Sequence, residues 1–186
     1  MNIKAKRNLC GAALGATLLL GVVLACSGGD ETDKANKLVD EGNAAINDGK
    51  KFLSDAEEKK DKMLHTNVSQ LAEARTIANE AIRAYDQAEQ KCKDAVAKFD
   101  EASKLKINDK FKEYLGIKAK EFNKRAELVE TLKSIPQALI DSQSRSAFTS
   151  RGNAATQKAE QLGKEADDLS AQADKIQKDN AGVFNK

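Results

Sequence analysis

The chain has 186 residues, 40% hydrophobic but only 4% aromatic, with no tryptophan, one proline, 11 glycines and 32% charged residues; this suits a single domain of long helices around an aliphatic, alanine-rich core and excludes the β-branched and aromatic runs of a sheet protein. The net charge of +2 rests on Lys4, Lys6 and Arg7, for no acidic residue precedes Asp30, and without those three of its 31 basic residues the chain sets 28 against 29 acidic ones. A near-neutral body of mixed sign lacks the one-sided basic face that a nucleic-acid partner requires.

The N-terminus, MNIKAKRNLCGAALGATLLLGVVLACSGG, has the anatomy of an export signal: a positive start followed by an apolar stretch from Leu9 to Ala25. The stretch ends in Val23-Leu24-Ala25-Cys26, followed by Ser27-Gly28-Gly29. This segment resembles the lipobox of bacterial lipoproteins. The resemblance covers the first 29 residues and implies a signal peptide over 1–25, cleavage before Cys26, and a diacylglyceryl group on the Cys26 sulfur. Residues 26–33 would then be a lipidated N-terminus and short tether. Two or more acyl chains hold far more firmly than one, at about 0.8 kcal/mol per buried methylene. In Gram-negative members Asp after the lipidated cysteine retains the protein in the inner membrane. Ser27 in that place implies the outer membrane, on its periplasmic face or at the cell surface. An uncleaved membrane-spanning helix and a soluble secreted product are the alternatives at this point.

With Cys10 in the signal and Cys26 lipidated, Cys92 is left without a cysteine partner, so packing alone must hold the fold. The bundle domain is expected over 34–180. The first helix is predicted from about Asp30 to Leu64. Leu38, Ala45 and Phe52 recur at seven, beside Val39, Ile46 and Leu53, and a small-residue row runs Ala35, Gly42, Gly49, Ala56 and then Met63. Gly42 and Gly49 read as places of close helix approach within one continuous helix, since each costs only about 1 kcal/mol relative to Ala. The second helix is expected to start at an Asn67 cap, with Gln70 in capping-box position, and to run to about Leu105. It carries Ala74, Ala81, Ala88, Ala95 and Ala102 in one row and Leu71, Ala78, Tyr85, Cys92 and Phe99 in another.

A third helix is predicted from near Lys110, capped by Asn108 or Asp109, with Leu115, Phe122 and Val129 in one row and Phe111, Ala119, Ala126 and Leu132 beside it. Pro136 should kink or interrupt it. The Ser-rich stretch DSQSRSAFTSRGN reads as a fraying end and a loop, with Gly152 as stop and Asn153 as cap. The fourth helix is expected over about Ala154 to Asn180, with Ala155, Leu162, Leu169 and Ile176 in one row and Ala159, Ala166 and Ala173 in another. Residues 181–186 read as a loose tail. Heptad spacing and short joints predict an all-α, elongated, antiparallel up-down bundle of four long helices with Ala/Gly-rich seams. A three-helix core with a loose fourth helix, or a paired dimer, fits the same pattern.

Little in the sequence points to catalysis or a cofactor. His65 is the one histidine, and no Glu-x-x-His pair or zinc or haem spacing exists. No Gly-rich phosphate loop follows a strand. The carboxylates Glu57, Glu58 and Asp61, like Glu165, Asp167 and Asp168, alternate with lysines as a solvated helix face does. Cys92 reads as a small hydrophobe in a packed row. The expected function is therefore a non-enzymatic, membrane-anchored envelope or surface lipoprotein: a helical bundle with a structural role or one that binds a protein partner. The alternative is a carrier of a small apolar or lipid ligand between helices.

Overall fold

The computed structural model describes residues 31–184, all of which lie outside the expected signal peptide. Four long helices follow one another: α1 Thr32–His65, α2 Leu71–Ser103, α3 Asp109–Asp141 and α4 Arg145–Asp179, with a last turn, α5, at Ala181–Phe184. No strand occurs among the described residues. The four run 33 to 35 residues, about 50 Å each at 1.5 Å per residue.

The chain order is also the packing order. α2 packs along α1, α3 along α2 and α4 along α3, while α1 only grazes α3 and does not pack on α4. Each neighbouring pair is antiparallel. Gly42 of α1 lies against Phe99 of α2 and Glu57 bonds Tyr85. Lys133 of α3 reaches Asp86 and Glu89 of α2, and Lys124 of α3 pairs with Glu165 of α4. The fourth helix is thus a packed member of the up-down bundle.

The apolar rows explain this order. Ala74, Ala81, Ala88, Ala95 and Ala102 of α2 are all buried, as are Ala35, Gly42, Gly49 and Ala56 of α1. With no side chain at Gly49, the Ala88 carbonyl of α2 comes within 3.6 Å of where a Cβ would stand. At Gly42 the space is filled by a ring instead of a backbone. The core divides into two clusters along the bundle. One is built around Phe99, Leu115 and Phe122, the other around Tyr85, Leu132 and Ile135. Leu71, though in the expected row, is 44% exposed at the α1–α2 joint.

The joints differ in several places from the sequence reading. Asn67 makes no side-chain cap; it precedes a 3₁₀ turn, Val68–Gln70, and Gln70 donates to Glu73. α3 is capped as expected, with Asn108 Oδ1 accepting from the Lys110 amide at 2.8 Å. It then runs through Pro136 to Asp141 without interruption. The missing amide costs one hydrogen bond, but Pro136 is fully buried between Ile135 and Ala138, both also buried, and that packing holds the turn. The Ser-rich stretch is mostly helix. Only Ser142 to Ser144 break the chain, because Ser144 Oγ caps the Ala147 amide at 3.2 Å and Phe148 packs on the second cluster. Gly152 is therefore inside α4 and not its stop. The tail is likewise docked as far as Phe184, which is 5% exposed and packs edge-on against Phe111 and Tyr114 at 5.6 and 5.2 Å between ring centroids.

At the same end of the bundle, the Glu31 amide donates to the Lys106 carbonyl and the Lys106 amide to Glu31 Oε2, both at 2.9 Å. This pair fixes the start of α1 to the α2–α3 joint.

Candidate functional site

Cys26, the expected lipidation site, lies outside the described residues, as do Cys10 and the signal segment. Five residues separate Cys26 from the first residue of α1, and fully extended they span at most about 18 Å. Among the described residues no helix is long and apolar enough to cross a membrane.

Cys92 falls where the row placed it. It is 6% exposed, among the buried residues of the Phe99 cluster. Burial pushes its thiol up to about 11; Arg125 pulls the other way, and Glu89 and Glu121 add to the rise. His65 is exposed at the end of α1, with Nδ1 2.7 Å from the Asp61 carbonyl oxygen. No group of three or more His, Cys, Asp or Glu side chains able to hold a metal ion occurs among the described residues.

Several carboxylates are held within their own helices. Lys59 donates to Asp55, Lys60 to Glu57, and Gln161 to Glu165. Some join two helices: Glu57 accepts from the Tyr85 hydroxyl of α2, Glu165 pairs with Lys124 of α3, and Asp167 with Arg125 of α3.

The least expected feature is a set of buried charges on α3. Lys118, Glu121 and Arg125 are 5%, 2% and 5% exposed. Lys118 Nζ donates to Glu121 Oε2 at 2.6 Å and Arg125 Nε to Glu121 Oε1 at 2.8 Å. Phe122 lies beside both cations, its centroid 5.1 Å from Lys118 Nζ and 5.9 Å from Arg125 Cζ. Arg125 Nη2 reaches Asp167 of α4 at 3.4 Å. A second network joins α2 and α3: Glu89 accepts from Lys93 at 2.6 Å and from Lys133 at 2.9 Å. Burial works to raise the Glu89 pKa, but its two lysine hydrogen bonds outweigh that and hold it below the usual carboxylate value.

An open groove of about 690 Å³ runs between α3 and α4, lined by Glu127, Glu130, Ala138, Arg151, Lys158 and Leu162 among others. Its rim carries charges of both signs, unlike the enclosed apolar cavity that holds a lipid-like ligand.

No protein-family model, no curated protein and no solved structure matches this chain.

The apolar rows alone do not reveal the α3 charges. A seven-residue spacing does: Phe111, Lys118, Arg125 and Leu132 form one such row, with cations in its middle and apolar residues at its ends.

Proposed function

We propose that this chain is a bacterial envelope lipoprotein, anchored by lipid on Cys26, whose helical bundle acts without catalysis by engaging a protein partner. The observation that carries this reading is the segment Val23-Leu24-Ala25-Cys26 behind a charged start and an apolar stretch. The short tether supports it, since it keeps the start of α1 within about 20 Å of the acylated cysteine. α1 leads away from that point, so the α1–α2 and α3–α4 joints form the far end of the bundle, about 50 Å out. Leu64 and Leu71 are the large apolar side chains exposed among the described residues, and both lie at that far end. A partner-facing tip held clear of the bilayer fits this arrangement.

The test is metabolic labelling with palmitate, on the wild type and on Cys26→Ala, with membrane fractionation of each. Label and membrane association should both disappear in the variant. Equal labelling of the two would remove the anchor and the localisation with it. The partner reading is checked by mild crosslinking of wild type and a Leu64→Glu/Leu71→Glu variant. A specific crosslinked species should form with the wild type and fall sharply in the variant.

A further inference from the structure

The α3 charges do not balance. Glu121 alone serves both Lys118 and Arg125. Asp167, the other carboxylate in reach of Arg125, sits at 3.4 Å with its side chain 58% exposed. Arg125 Nη1 is buried with no hydrogen-bond partner. A third cation approaches from α1: Lys50 is half-buried, within electrostatic reach of Arg125 and Lys118, and paired with no carboxylate among the described residues. Other acids nearby are engaged elsewhere: Glu89 by Lys93 and Lys133, and Asp86 by Lys133. Asp174 of α4 bears on Tyr114.

Lys118 and Arg125 thus share one carboxylate in the interior of α3, and the Lys50 charge of α1 bears on both. A buried donor left unsatisfied is costly, more so when it is charged. Phe122 steadies the Lys118 and Arg125 head groups through its ring face but cannot neutralise them. A guanidinium flanked by ammonium groups matches the oxygens of a small anion. We propose that Arg125, Lys118 and Lys50 form a binding site for a phosphate- or sulfate-like oxyanion seated against Arg125 Nη1. Burial, together with the charges of Arg125 and Lys118, holds Lys50 below the usual lysine pKa, and a bound anion would counter those charges. The source of the ion is either free inorganic phosphate or sulfate, or a phosphomonoester carried on a larger molecule.

The experiment is a ³¹P line-width titration of the full-length protein in detergent at constant ionic strength, with thermal unfolding in parallel. These anions also stabilise proteins generally through exclusion from their surfaces, so variants supply the comparison. Inorganic phosphate should broaden saturably with the wild type. Lys50→Gln, which breaks no bond in the fold, should weaken binding about tenfold, the loss of one charge partner at roughly 1.4 kcal/mol. Asp167→Asn, at an exposed position, removes the competing carboxylate and should tighten binding. Glycerol phosphate binding as well as phosphate would assign the source to phosphomonoesters; binding of phosphate alone would assign it to the free ion. A non-saturating response that is the same in the wild type and both variants overturns the proposal and leaves a water on Nη1.

Discussion

Gly42 of α1 faces the ring of Phe99 of α2 so closely that a Cβ at Gly42 would stand 2.9 Å from Phe99 Cε1. The ring has nowhere to go: Phe99 is 1% exposed and leans on Phe122, 5.9 Å away between centroids. Gly42→Ala should therefore destabilise the bundle by about 1–2 kcal/mol, because overpacking outweighs the roughly 1 kcal/mol gain in helix propensity. Gly116 has no neighbour within 4 Å of the corresponding position, so Gly116→Ala should stabilise by about 0.5–1 kcal/mol. Urea unfolding of both variants gives the two signs. A stabilised Gly42→Ala would mean that α1 and α2 do not meet at this seam.

Phe184 closes the first core cluster from the C-terminal side. It packs on Phe111 and Tyr114, at the base of α3. Phe184→Ala should cost about 3 kcal/mol, the low end for a buried phenylalanine, and should expose the base of α3 to amide exchange. A variant as stable as wild type, with unchanged exchange at 111–115, would show that the last turn contributes nothing.

The residues that betrayed the fold in the sequence are those whose burial repeats every seven positions. Ala74 to Ala102, Gly42 with Gly49, and the row through Cys92 marked the close approach of α1 and α2, because small side chains at heptad spacing dictate it; the place of the fourth helix was left open by the pattern and is given by its packing along α3. Pro136 and the Ser-rich stretch misled, because local propensity was outweighed by packing: Pro136 and Phe148 are anchored in the core, and one Ser144 cap starts the helix. Phe184 was hidden for a related reason, since a single ring has no periodicity. Lys118, Glu121 and Arg125 escaped because hydropathy assigns charged residues to solvent, whereas here Glu121 draws both cations into the interior. Cys26 stands apart: the lipid proposed for it rests on its signal context alone.

Glu89 ties α2 to α3 through Lys133 and should give the bundle an acid-sensitive brace. Its native pKa lies below the usual value, so the native state favours the ionised form. That stability is complete above the unfolded value of about 4.3 and is lost as pH falls through the lower native value. At pH 7, Glu89→Gln should cost about 1–3 kcal/mol. The gap between wild type and variant should narrow below about pH 4. Chemical unfolding at pH 7, 5 and 3 gives the comparison, and a gap that stays constant across the series would assign Glu89 a packing role alone.

Cys92 provides the most direct check on the seam. Its thiol is 6% exposed and is pushed up to about 11 chiefly by burial. At pH 8 the thiolate fraction is then on the order of one in a thousand, against about a quarter for an unperturbed thiol. Access adds a second barrier, because a reagent must wait for α2 to part from its neighbours. Modification of Cys92 in the folded protein, followed by mass spectrometry of its peptide, should be at least about 100-fold slower than in urea. The raised pKa also sets a sign: the protonated thiol's contribution to stability is complete below the unfolded value of about 8.5 and declines as pH rises toward 11. Cys92→Ala removes that alkaline decline, while Cys92→Ser buries a hydroxyl and should cost about 1–3 kcal/mol more than it. Equal reaction rates in folded and denatured protein would place Cys92 at the surface and undo the packing of α2 between α1 and α3.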